Sequence, residues 1–187
     1  MSSLQKFHRR TNNAPAVPAT WPATAIGMGD STHGYWVGTA GDGTSKLIIA
    51  PKSTETNAQW CNVNTIVRGA AARSNTDGIT NTNTLYAFGQ SAHPAAYAAK
   101  TLSLGGYNTW YLPAKDELTN AYANRAATPF ATANTFVFGS PNTYWSSTEY
   151  AGSYSNQRAW GMTSSGTGDY SQGKISSQRV RAVRRIA

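Results

Sequence analysis

The sequence predicts an α+β domain, and three observations carry that prediction. β-prone runs come first, two helical patterns sit together in the middle, and further β-prone runs follow. That order is expected when helices segregate from an antiparallel sheet. Hydrophobic residues make up 40% of the 187 positions and charged residues only 13%. The polar surface must then be built from Ser, Thr, Asn, Gln and Gly, which suits sheets and long loops rather than Lys/Glu-rich helices. No fixed-period repeat runs through the chain, and its length allows one domain with a real core plus arms or long loops.

Residues 1–34 read as an extended N-terminal arm. Pro15, Pro18 and Pro22 fix φ and remove backbone donors, which favours extended chain over a packed element. Phe7 and Trp21 are large aromatics in such an arm and call for something to pack on. With Arg9 and Arg10 they are the candidate anchoring residues. The body is expected over 35–187. Residues 35–37 (YWV) are β-prone, 41–43 (GDG) turn, and 46–50 (KLIIA) form a buried strand ended by Pro51. The stretch 53–83 is rich in Asn, Thr and Gly and reads as ordered loop, interrupted by a β-prone run at 65–68.

The first helix is expected to begin at His93-Pro94, where the missing proline donor costs nothing, and to stop before Gly105-Gly106. The second follows 110–112 (WYL). Pro113 opens it, and Asp116 and Glu117 lie in its first turn, where the helix dipole favours acid. Leu118, Ala121, Tyr122 and Arg125 then recur at helical spacing. Strands are expected at 135–138, 144–147, 158–162 and 180–183. Alternation puts Trp110 and Leu112 on one face. Trp145 and Trp160 join them as core candidates, and Gly161 admits a close neighbour. A final strand would press Val180 and Ala182 inward while Arg179, Arg181, Arg184 and Arg185 bind carboxylates.

The formal net charge is +8 and the pI about 9.8. A basic balance points to anionic partners. Lys6, Arg9 and Arg10 sit at one end, however, and Arg179, Arg181, Arg184 and Arg185 at the other, with the rest scattered between and no run of Lys/Arg interleaved with aromatics, so nucleic-acid binding is not the expected function. One cysteine, Cys61, excludes an intrachain disulfide. It lies far along the chain from any histidine, and His8, His33 and His93 lack metal-ligand spacing. The eight carboxylates show no catalytic pattern, although Glu149 and Asp169 have the option of meeting in space. No enzyme, cofactor or metal is expected. No segment has the length of a membrane span, and the N-terminus lacks a signal peptide's apolar core.

Three blocks, HPAAYAAKTLSLGGYNTWYLPAKDEL at 93–118, YWSSTEYAGSYSNQRAWGM at 144–162 and RVRAVRR at 179–185, resemble the Lcl C-terminal domain family over residues 35–187. That family occurs in bacterial surface adhesins and phage structural proteins. The resemblance implies a C-type-lectin-like fold, with two helices on a small antiparallel sheet and long ordered loops. It implies adhesion or particle structure and no defined catalytic residues. Two departures matter. The acidic motifs with which sugar-binding C-type lectins hold calcium are missing, and the reactive cysteines of the related sulfatase-modifying enzymes are reduced to Cys61.

Of the 36 residues from 142 to 177, 20 are Tyr, Ser, Gly or Asn. Antibody paratopes use the same vocabulary, because Tyr gives contact area at low entropy cost and Ser, Gly and Asn adapt their hydrogen bonds. Tyr150, Tyr154, Asn156, Arg158, Asp169 and Tyr170 are the candidate ligand-binding residues. The expected function is that of a non-enzymatic phage virion protein, made in the host cytoplasm, acting in host attachment at a fibre tip or receptor-binding position. Its expected partners are other virion proteins through the arm, a host surface glycan or protein, and copies of itself, a trimer being one such assembly. A capsid or tail decoration protein without a host ligand is the alternative, and a bacterial glycan-binding adhesin module is the second.

Overall fold

Leu47, Ile48 and Ile49 are fully buried in the computed structural model, which describes residues 25–63, 68–138, 143–166 and 170–187. Along the chain the elements are β1 (Gly29–Asp30), β2 (Gly34–Thr39), β3 (Lys46–Ile49), β4 (Thr56–Gln59), α1 (Gly78–Tyr86), α2 (Pro94–Lys100), α3 (Lys115–Ala123), α4 (Phe130–Ala133), β5 (Tyr144–Glu149), β6 (Arg158–Met162), β7 (Tyr170–Gly173), β8 (Ser177–Val180) and β9 (Val183–Ile186). Short 3-10 turns lie at Lys52–Thr54 and Gly69–Ala72. One sheet has the antiparallel order β1-β2-β3-β9, so the last strand closes against the first part of the chain. The other has the order β4-β8-β5-β6-β7 and is mixed, because β8 runs parallel to β5. The protein is therefore α+β.

Alternation along β3 divides the interior in two. Ile48 points into a core with Trp60, Trp110, Leu112, Trp145 and Val180, whereas Leu47 and Ile49 point into one with Tyr111, Leu118, Phe130, Tyr144 and Val183. The run 110–112 repeats this division in extended chain tied to β9 by paired Tyr111–Val183 bonds of 2.8 and 2.9 Å. Trp110, Leu112, Trp145, Val180 and Ala182 are buried, whereas Trp160 is half-buried. Gly161 admits backbone: a Cβ there would stand 3.0 Å from the Tyr144 carbonyl oxygen.

Several expectations need correction. Among the described residues there are four helices and two sheets, one of them mixed, where two helices on one small antiparallel sheet were expected. Residues 53–83 contain β4 and α1 rather than loop alone. GITNTNTLY has no apolar stripe, and its helix is set by polar contacts instead. Asp77 caps it by accepting from the Thr80 amide at 3.1 Å, Asn81 donates to the Ser74 carbonyl at 2.7 Å, and Thr82 Oγ1 donates to the Leu112 carbonyl at 3.0 Å. Of the run at 65–68, only Arg68 is described. Residues 135–138 form no strand. Phe136 and Phe138 pack on Tyr122 and Tyr144, and the Val137 amide donates to the Tyr144 hydroxyl at 3.0 Å, where a ladder bond would otherwise form.

The run 180–183 is not one strand either. It breaks at Arg181-Ala182, and β8 and β9 belong to different sheets. At the break Arg181 turns inward, and its Nε donates to the Ala50 carbonyl at 2.8 Å. The arm expected over 1–34 lies largely outside the described residues; β1 within it pairs with β2.

Trp145 ties β5 to β4 across one sheet. It is fully buried on β5, and its indole Nε1 donates to the Ala58 carbonyl at 2.9 Å. Trp145→Ala is expected to cost about 3–5 kcal/mol in urea unfolding. A loss below about 1 kcal/mol would contradict this packing.

Candidate functional site

Tyr150 leaves the end of β5 and begins the turn that leads into β6. Its amide donates to the Arg158 carbonyl at 3.2 Å, which closes the turn. Within it the Gln157 and Arg158 amides both donate to the Tyr154 carbonyl, at 2.9 and 3.0 Å. Backbone bonds thus shape the turn and leave its side chains to face outward. Tyr154 is 58% exposed, Arg158 is exposed with its guanidinium 5.7 Å from the Tyr154 ring centre, and Asn156 is half-buried. Tyr150 packs edge-on against Trp160 at 5.1 Å. The Lys115 ammonium lies 4.4 Å from the centre of the Trp160 ring. The result is a face of three rings and two cations, built on the β5–β6 turn and the start of α3.

Tyr170 opens β7 opposite Gly161, but nothing of its side chain is described. Asp169 and the anchoring candidates Phe7, Arg9, Arg10 and Trp21 lie outside the described residues.

Beneath this face lies a group that the sequence pattern does not reveal. Glu149 and Lys174 are both fully buried, and the Lys174 Nζ donates to Glu149 Oε1 at 2.6 Å. The same ammonium donates to the Ser155 carbonyl at 2.8 Å, and the Lys174 amide to the Gln157 carbonyl at 2.8 Å. Lys174 therefore grips the turn from below. Glu149 also accepts from the Arg68 amide at 2.8 Å, the Gly69 amide at 2.9 Å and Arg73 Nε at 3.3 Å. Burial lowers the Lys174 pKa, and the Glu149 bond opposes that shift.

His93 completes the cluster. Arg68 Nε can only donate, and it meets His93 Nε2 at 2.7 Å. The ring proton is thereby assigned to Nδ1, which donates to the Trp60 carbonyl at 3.0 Å. The Asn62 amide bonds to the Ala92 carbonyl, so Cys61 is flanked by two residues tied to segment 92–93. The large sequence separation of Cys61 from His93 therefore misrepresents their neighbourhood. Burial first, then the charges of Arg68 and Lys174, pull the His93 pKa down from 6.5 to about 4.

The other buried acids serve the fold in the same way. Glu55 meets Arg181 at 3.2 Å and Arg179 at 3.6 Å, and accepts from the Tyr144 hydroxyl at 2.9 Å. Burial brings the Arg181 pKa down to about 10. Glu117 accepts from Arg185, from the Tyr111 hydroxyl and from the Ala114 amide, each at 2.9–3.0 Å. Arg185 directs two nitrogens at one Glu117 oxygen rather than forming a two-oxygen fork. Arg184 stacks on Tyr107 at 3.6 Å. These carboxylates are placed to hold strands together, while the outward face carries rings and cations. Among the described residues no three His, Cys, Asp or Glu side chains converge as a metal site, and no helix is long and apolar enough to cross a membrane.

A family model described as the Lcl C-terminal domain matches residues 51–184. No curated protein matches the chain.

His93 makes stability pH-dependent. Unfolded, it binds a proton near pH 6.5; folded, only near 4. Above 6.5 it contributes nothing, and stability falls as pH drops from 6.5 to 4, by on the order of 3 kcal/mol. Urea unfolding of the parent and of His93→Gln across that window checks this. The variant should lose that part of the slope, and equal slopes would contradict it.

Proposed function

The chain belongs to the Lcl C-terminal domain family, and from that membership we propose that it is a non-enzymatic phage virion protein that acts in host attachment. The observation that carries this reading is the outward face of Tyr150, Tyr154, Trp160, Lys115 and Arg158. Tyr, Trp and Arg dominate the hot spots of protein interfaces, because they combine large area with directed polar contacts. The hydrogen-bonded β5–β6 turn, β6 and the start of α3 present them, so little ordering entropy is lost when a ligand docks. The low charge content leaves few exposed charges to desolvate around the contact.

The C-type-lectin-like architecture belongs to the same proposal. Its support is a body whose first and last described strands share one sheet, while α1 and α2 pack on the other and α3 touches both. Anchoring to other virion proteins through Phe7, Arg9, Arg10 and Trp21 completes the reading, with self-association into a homo-oligomer that multiplies weak contacts.

Labelled full-length chain binding to intact host cells tests it. Tyr154→Ala combined with Arg158→Ala should cut binding at least tenfold while the melting temperature holds, since both side chains are exposed. A parent protein that binds no cells, or a double variant that binds as the parent does, would overturn the reading.

A further inference from the structure

Among the described residues, bonds and chain adjacency tie four of the six exposed large hydrophobics to the buried Glu149–Lys174 pair. Phe88 is 51% exposed and carries the Arg68 guanidinium 3.6 Å above its ring. The Arg68 amide donates to Glu149 Oε1 at 2.8 Å. Lys174 Nζ donates to that same oxygen at 2.6 Å and to the carbonyl of Ser155, next to Tyr154, at 2.8 Å. Three contacts therefore link the Phe88–Arg68 pair to the Tyr154–Arg158 pair. Ile175, 43% exposed, follows Lys174 in the chain. Val63, 38% exposed, lies two residues beyond Cys61, whose amide donates to the Lys174 carbonyl at 3.1 Å. Ile26 and Met28, the other two, lie near the β1 end of the other sheet.

We infer that Val63, Phe88, Tyr154 and Ile175, with Arg68 and Arg158, form one docking surface for a protein partner whose face combines apolar side chains with Asp or Glu. This rests on the attachment reading above and extends it by naming the partner's chemistry. Two arguments select that chemistry. The Arg68 guanidinium rests on His93 and Phe88 and meets no carboxylate among the described residues, and the nearby Glu149 is fully buried under four donors, so charge complementarity calls for acid on the partner. Val63, Phe88 and Ile175 offer no hydrogen-bonding groups. A sugar's hydroxyls would be desolvated against them without replacement bonds, whereas aliphatic and aromatic side chains would gain area. An Arg stacked on an aromatic face and a Tyr beside a second Arg are the pairings that anchor such contacts.

The immobilised full-length chain, panned against a random dodecapeptide display library, tests the inference, with an array of neutral and acidic glycans as the second arm. The expected result is enrichment of peptides that place Asp or Glu beside Leu, Phe or Trp. Their binding should fall at least tenfold in Phe88→Ser and be unchanged in Lys100→Ala on α2. Ile175→Ser carries the same test if Phe88→Ser lowers the melting temperature. No enrichment, peptides indifferent to both serine variants, or a response from glycans alone would overturn it. Cell binding that depends on Tyr154 and Arg158 yet ignores Phe88 and Ile175 would overturn this inference and leave the attachment reading standing.

Discussion

Lys174 and Glu149 meet with both side chains fully out of water, and each partner holds a different piece of surface. Burying two charges is costly, and their mutual attraction offsets that cost only when the remaining lone pairs and protons are also satisfied. Here Glu149 receives two backbone amides, Arg73 and the ammonium, while Lys174 also serves the Ser155 carbonyl. The pair does more than neutralise itself. Through Glu149 it fixes the segment that begins at Arg68, and through Lys174 it fixes the turn after β5. The outward rings and cations are positioned because the charge beneath them has one low-energy arrangement.

The same logic runs through the rest of the molecule. A chain with eight carboxylates places three of them, Glu55, Glu117 and Glu149, at buried junctions between distant segments. The C-terminal arginines answer two of them. Arg181 reaches Glu55 at the point where the chain leaves one sheet for the other, and Arg185 ties β9 to the start of α3. Charge is scarce at the surface partly because charge is used inside. An outward face rich in Tyr, Ser and Asn then meets a partner without a dense shell of competing ions, which agrees with the attachment proposal.

Much of the fold is legible in the sequence wherever one physical term dominates. Pro94 at the first helical position and the acids after Pro113 fix α2 and α3 locally. The apolar run 46–50 is a buried strand because no other environment suits Leu-Ile-Ile between polar ends. What escapes is what depends on partners distant in sequence. Helix α1 has neither apolar period nor strong propensity, and it forms because Ser74 and Leu112 supply bonds for Asn81 and Thr82. The 135–138 run has the composition of a strand, yet ring packing claims its side chains. RVRAVRR alternates like a single strand, and only the buried acceptors around Arg181 reveal the break. Tyr150, Tyr154 and Arg158 are readable from composition, whereas the buried pair of Glu149 at the end of β5 and Lys174 after β7 has no local signature. A lone Glu closing a Tyr-Trp-Ser-Ser-Thr strand and a lone Lys in a Ser/Gly turn were the faint signals available.

Amide hydrogen exchange of the full-length chain and of Lys174→Met tests this account most directly. If the buried pair sets both surface segments, exchange should quicken together across 68–73 and 151–158, while β3 and α3 keep their protection. Acceleration confined to one segment, or none in either, would contradict a shared anchor.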